Sequence, residues 1–173
     1  MTNFKGDLRK VKAFIFDVDG VFATSKVLLH PNGELMRTMN IKDGFACFYL
    51  VKKGIPVAII TGGDSESVKT RFEKLGIKDI YMKSSDKLKD FQDFINKYGL
   101  KAEEILYMGD DLPDYPVMKE VGFPTCPADA VEEVKAISNY ISDKNGGEGC
   151  VRDVIEQVMR LNGQWMEGEA FIW

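Results

Sequence analysis

The chain has 173 residues, 45% of them apolar and 29% charged, with a net charge of −4 and a pI near 5.1. That suffices for one core of ordinary size, expected as a single domain over residues 1–173, and the acidic balance argues against a nucleic-acid binder. The polar stretch from Met1 to Lys12 contains no apolar signal segment and no run approaches transmembrane length, so a cytoplasmic protein with no membrane partner is expected.

Val11 to Phe16 (VKAFIF) predicts a buried strand. Val27 to Leu29 and Leu35 to Met39 flank Pro31-Asn32-Gly33, which predicts a hairpin. Gly44 to Lys53 reads as a helix closed by Gly54, and Pro56 to Ile60 (PVAII) as a second core strand. Asp64 or Ser65 caps a helix running to Leu75, which Gly76 ends. A short strand at 79–82 and an amphipathic helix from Asp86 to Tyr98 follow, with Leu88, Phe91, Phe94 and Ile95 on one face. Glu104 to Met108 is a further strand, and Pro113 is expected to open the next helix. Strands at 123–126 and 140–141 and helices at 130–136 and 149–161 complete the chain. This alternation predicts an α/β fold: a three-layer, Rossmann-like parallel sheet with a small β-hairpin flap. Ligands bind such sheets outside the carboxyl ends of their strands.

The residues at those ends are small or acidic. The first strand runs into Asp17-Val18-Asp19-Gly20, the second into Thr61-Gly62-Gly63, and the strand ending at Met108 into Gly109-Asp110-Asp111, with Asp114 one turn on. In a parallel sheet these residues share one edge. Clustered carboxylates raise one another's pKa unless a cation neutralises them, and hard oxygen donors select Mg2+ or a similar ion. A carboxylate in such a setting attacks phosphorus, and a second carboxyl two residues on protonates the leaving alcohol. Thr61 offers a hydroxyl and Lys87 a fixed positive charge for phosphoryl oxygens. Taken singly the features are bland: Asp is common in turns and caps, a lone helix lysine is normally solvated, and Thr-Gly-Gly is an ordinary turn. Asp17 and Asp19 are not bland, because Asp is poor in strands and their spacing is specific.

Phe16-Asp-Val-Asp-Gly-Val21, Ile60-Thr-Gly62, Lys87-Leu88 and Gly109-Asp-Asp-Leu-Pro-Asp114 resemble, in order, the four motifs of the haloacid dehalogenase superfamily. The resemblance implies Asp17 as nucleophile and metal ligand, and Asp19 as general acid/base with its carbonyl on the metal. It implies Thr61, Gly62 and Lys87 as the phosphate site and Asp110 as the third magnesium ligand. Asp111 or Asp114 would orient Lys87 or metal-bound water; the motifs alone do not separate these two roles. Only about forty residues separate Gly20 from the second motif, too few for a cap domain beside the hairpin and helix expected there.

Without a cap, the chain resembles the 3-deoxy-D-manno-octulosonate 8-phosphate phosphatases. The matching segments include Asn40-Ile-Lys-Asp-Gly44, Ala58-Ile-Ile-Thr-Gly62, Arg71, Tyr107-Met-Gly-Asp-Asp111 and Gly146-Gly-Glu-Gly149. That family implies a phosphorylated sugar acid as substrate and a homotetramer whose neighbouring subunits complete each site. Asn40, Lys42, Asp43, Arg71 and Glu148 are then the candidate substrate contacts. Two positions depart from the family pattern: Gly63 and Glu148 stand where members often carry arginine, the preferred carboxylate partner. Phosphatases of nine-carbon sugar acid 9-phosphates are similar at Gly-Gly-Glu-Gly and form the alternative, beside a broad phosphatase, a receiver domain or a non-catalytic assembly subunit. Cys47, Cys126 and Cys150 form no C-x-x-C pair and are expected as buried, reduced thiols. His30 is expected on the surface, and the apolar Trp165, Phe171, Ile172 and Trp173 on this subunit or a neighbour.

Overall fold

The computed structural model describes residues 8–172; Trp173 and the first seven residues of the amino-terminal stretch lie outside that range. Six parallel strands form one sheet: β1 (Ala13–Phe16), β4 (Val57–Ile60), β5 (Asp79–Tyr81), β6 (Ile105–Met108), β7 (Phe123–Cys126) and β8 (Tyr140–Ile141). Their order is β5-β4-β1-β6-β7-β8. From β1 the chain crosses to β4 on one side, whereas β6 lies on the other. The order therefore reverses beside β1, where a crevice opens at the strand ends.

Strands buried on both faces must be apolar throughout, and β1, β4, β6 and β7 are buried along their whole length. Side chains alternate between two cores. Phe14 and Phe16 face α1 (Ile41–Lys52), α2 (Glu66–Lys74) and α6 (Cys150–Leu161), meeting Leu50, Phe72 and Val154. Ala13 and Ile15 face α3 (Lys87–Tyr98), α4 (Tyr115–Glu120) and α5 (Glu132–Ile137), with Phe91, Phe94, Met118 and Val134. The three expected layers are present.

Between β1 and β4 the chain forms only α1 and a hairpin of β2 (Leu28–Leu29) and β3 (Leu35–Met36). Gly33, at φ +87, closes its turn. No cap lies over the sheet edge in this segment. Several boundaries differ from the sequence reading: β1 begins at Ala13 and not Val11, β3 ends at Met36 and not Met39, and the helix expected over 130–136 is Glu132–Ile137. The first helix begins at Ile41, not Gly44, because the Asn40 side chain accepts the Lys42 N–H at 2.9 Å and caps it. Pro113 opens a 3-10 turn, Leu112–Asp114, and α4 starts after it with its own proline, Pro116. The reason is Asp111, whose side chain takes the Leu112 N–H at 2.7 Å and tightens the turn.

Cys47, Cys126 and Cys150 are buried and unpaired. Trp165 packs edge-on against Tyr49, whereas Phe171 and Ile172 are exposed. His30 is exposed beside the hairpin turn, where its Nδ1 accepts the Asn32 N–H.

Candidate active site

Four strand ends build the site. β1 delivers Asp17 and Asp19, β4 delivers Thr61, β5 leads through Ser84 and Ser85 to Lys87, and β6 delivers Asp110, Asp111 and Asp114. Together they line a cavity of 540 Å³. The expected residues Asp17, Asp19, Thr61, Gly62, Lys87, Asp110, Asp111 and Asp114 all border it.

The floor is buried. Lys87 Nζ lies 2.9 Å from Asp17 Oδ2 and donates to Asp114 Oδ1 at 2.7 Å. Tyr107 Oη donates to the same Asp114 oxygen at 2.6 Å, and the Asp110 N–H to Asp114 Oδ2 at 3.1 Å. Asp114 thus has both oxygens committed within the fold. Asp111 is exposed and caps the Leu112 N–H instead. The ambiguity between these two residues is resolved for the lysine: Asp114 holds Lys87, and Asp111 does not.

One ammonium cannot neutralise this cluster. Burial pushes the Asp17 carboxyl well above its usual range, Asp114 adds to the rise, and Lys87 only partly opposes it. Asp110 is pushed up to about 7 by burial, then by Asp114 and Asp111. Burial works against the Lys87 ammonium, but Asp17 and Asp114 outweigh it and raise its pKa. Oxygens of Asp17, Asp110 and Asp114 lie within 4.8 Å of one another. These three carboxylates together form the acidic group that could receive a cation. The backbone leaves room for Asp110: a Cβ on Gly20 would sit 1.9 Å from its Oδ2.

Thr61 is buried, and its Oγ1 accepts the Gly63 N–H at 3.1 Å, which folds the turn after β4 around the cavity. The candidate substrate residues are placed elsewhere. Asn40, Lys42 and Glu148 border a second cavity, between α1 and α6. Arg71 packs against α1, its Nη2 2.5 Å from where a Gly44 Cβ would be. Asp43 is fully buried, and its Oδ1 accepts the Arg152 N–H at 2.7 Å in the first turn of α6. It supplies the cap that Gly149, with no side chain, cannot.

Sequence reasoning missed three features. Ser84 and Ser85 end a strand as the other site residues do, so the same rule would have found them. Tyr107 reads as core until Asp114 is placed beside its hydroxyl. Arg37 gave no signal, because it reaches Asp19 from the hairpin.

Residues 76–155 match the haloacid dehalogenase-like hydrolase family. The chain is 35% identical over 160 residues to the 3-deoxy-D-manno-octulosonate 8-phosphate phosphatase KdsC of Salmonella typhi, covering 92% of this chain and 85% of that protein. The crystal structure of the corresponding Yersinia pestis phosphatase superposes with a TM-score of 0.91 at 31% identity, covering 94% of this chain and 88% of that one. The Moraxella catarrhalis enzyme, solved in complex with a magnesium ion, a phosphate ion and a KDO molecule, superposes with a TM-score of 0.89 at 33% identity over 95% of each chain. Near-complete coverage of both sequence and fold means that this chain belongs to the 3-deoxy-D-manno-octulosonate 8-phosphate phosphatase family of haloacid dehalogenase-like hydrolases.

Proposed function

We propose that this protein is a magnesium-dependent phosphomonoesterase that hydrolyses 3-deoxy-D-manno-octulosonate 8-phosphate to the free sugar acid and phosphate through an aspartyl-phosphate on Asp17. The observation that carries this reading is the buried Asp17–Lys87–Asp114 chain on the floor of the strand-end cavity, with Asp19 and Asp110 beside it.

In this reading an Asp17 carboxylate oxygen attacks phosphorus. The bond from phosphorus to the sugar oxygen breaks, its electron pair stays on that oxygen, and the oxygen takes a proton from the Asp19 carboxyl. The resulting Asp19 carboxylate then takes a proton from the water that attacks the acyl phosphate, which frees phosphate and restores Asp17. Lys87 and the turn at Thr61-Gly62 hold the phosphoryl oxygens, and Asp114 keeps Lys87 aimed. Asp17, Asp110 and the Asp19 carbonyl would hold the magnesium, which when bound offsets the repulsion between Asp17 and the phosphoryl group. The acid-rich floor, short of positive charge, fits such an ion.

The protein is further proposed to work in the cytoplasm as a homotetramer, with neighbouring subunits completing each site. Exposed Leu28, Leu29 and Ile41 on and beside the hairpin support an apolar contact with a second copy. Asn40, Lys42, Arg71 and Glu148 remain proposed substrate contacts only by way of such a neighbour, since they stand outside the cavity lining of their own chain, whereas Asp43 is fully buried and has no surface to offer one. Among the described residues no helix is long and apolar enough to cross a membrane.

Phosphate release from a panel of sugar and sugar-acid phosphates, with magnesium and with chelator, tests the reading. Preference for the octulosonate 8-phosphate supports it. Preference for a nine-carbon sugar acid 9-phosphate would transfer the assignment to that alternative, which Glu148 in Gly-Gly-Glu-Gly favours. Absence of magnesium-dependent release from every ester would favour a non-catalytic assembly role.

A further inference from the structure

Asp19 differs from the buried carboxylates of the site. Its side chain is 39% exposed, and the only donor to it among the described residues is Arg37. Arg37 Nε donates to Oδ1 at 2.7 Å and Nη2 to Oδ2 at 3.0 Å, a two-pronged pairing that fixes both the place and the plane of the carboxylate. The guanidinium is fixed in turn: Nη1 donates to the Leu35 carbonyl at 2.6 Å, and the Arg37 side chain is only 6% exposed. Arg37 follows β3 directly, so the group that orients Asp19 belongs to the hairpin. The backbone ties the same parts together, with Asp19 bridged to Ala23 and Ala23 to Met39.

Gly63 belongs to this arrangement. A Cβ there would lie 3.4 Å from Arg37 Nη2 and 3.6 Å from Asp19 Oδ2. Position 63 thus borders the space that the guanidinium and the carboxylate share, at ordinary van der Waals distance.

We propose that Arg37 is the positioning residue for the general acid/base: the hairpin, through this fork, sets the direction in which Asp19 meets the leaving oxygen. The inference rests on the assignment of Asp19 as proton donor given above. It adds that the hairpin bears on proton transfer.

The test uses leaving groups. A sugar alkoxide needs a proton as it departs, whereas p-nitrophenolate is stable without one. Asp19→Asn, Arg37→Ala and Arg37→Lys are assayed with the sugar-acid phosphate and with p-nitrophenyl phosphate, at saturating magnesium. For Arg37→Ala the expected result is a fall in kcat/KM, which covers the steps up to the acyl phosphate, of about 10²-fold on the sugar-acid ester and less than about threefold on the nitrophenyl ester. Arg37→Lys keeps the charge but not the fork, and should recover part of the loss. Equal losses on the two esters, or no loss, would overturn the inference. Asp19→Asn separates the two levels. If it discriminates between the esters and Arg37→Ala does not, the role of Arg37 fails alone. If Asp19→Asn lowers kcat/KM, which covers only the steps up to the acyl phosphate, equally for both esters, Asp19 is not the proton donor and both readings fall together.

Discussion

The strand-end cavity and the cavity between α1 and α6 are both lined by charge, and they balance it differently. The strand-end cavity has five aspartates on its lining, Asp17, Asp19, Asp110, Asp111 and Asp114, and one lysine, Lys87. The cavity between α1 and α6 sets Lys42, Lys144, Arg152 and Arg160 against Glu148, Asp153 and Glu156. In the second, charges find partners nearby: Glu156 meets both Arg152 and Arg160, and Asp153 accepts from Tyr140 and Ser142. Such partly exposed pairs contribute little and need nothing further. In the first, the excess of buried negative charge is unfavourable on its own. A fold retains it where something else, a cation and a phosphoryl group in this reading, completes the balance.

The sharpest way to break the comparison is to change one charge at a time on the catalytic floor. Asp17→Asn should lower turnover by at least about 10³-fold, as loss of a nucleophile does. It should leave thermal stability unchanged or slightly higher, because a carboxylate that burial and Asp114 disfavour has been neutralised. Lys87→Met should also abolish turnover, but lower stability by about 3–5 kcal/mol, since Asp17 and Asp114 then share a buried site with no cation. Phosphate-release assays and urea unfolding check both. If the two variants shift stability in the same direction, the floor is not organised around a shortage of positive charge.

Magnesium sharpens the contrast at smaller amplitude. An ion at a hundredfold excess over its Kd should stabilise the fold by about 2.7 kcal/mol, read as a higher Tm with magnesium than with chelator. Asp110→Asn should remove most of that shift, whereas Lys42→Ala, in the second cavity, should leave it intact. Gly20→Ala addresses the same point from the backbone. Its φ of +83 and the 1.9 Å approach to Asp110 Oδ2 predict a destabilised protein with a weakened magnesium response. A full magnesium shift in Asp110→Asn would place the ion elsewhere.

What the sequence could announce follows the same division. The sheet and the floor were legible because each apolar run ends in residues that serve the site, so one rule located Asp17, Thr61 and Asp110 together. Lys87 needed the motif order as well, since a lysine at a helix start is ordinary by itself. The side chains that organise those residues were not legible. Tyr107 alternates as a core residue should, and nothing local ties its hydroxyl to Asp114. Arg37 lies eighteen positions from the carboxylate it holds, on a two-stranded element whose placement only tertiary packing decides. Asp43 shows the limit in the opposite direction. Its place in a motif made it a candidate substrate contact, and packing puts it under the start of a distant helix.

Asp43 carries a pH effect on stability and not a loss of turnover, and tests the second region by itself. Burial pushes its carboxyl from 3.8 to about 6, while N–H donation from Arg152 and Gly149 only partly restores the charged form. Its Oδ2 has no hydrogen-bond partner. Because the folded state holds this proton more tightly than the unfolded chain, the stability tied to it is fully present below about pH 4 and falls as pH rises through about 6. The loss should be on the order of 3 kcal/mol for a shift of that size. Asp43→Asn keeps one oxygen for the Arg152 N–H and cannot ionise. The difference in unfolding free energy between wild type and Asp43→Asn, followed by urea titration from pH 4 to 8, should therefore move in favour of the variant across that window and level off above it. Asp43→Ala, which loses the cap, should be less stable by about 1–2 kcal/mol even at the acid end. A flat difference between wild type and Asp43→Asn, together with a raised KM for the sugar-acid phosphate, would return Asp43 to the substrate and join the second cavity to the first.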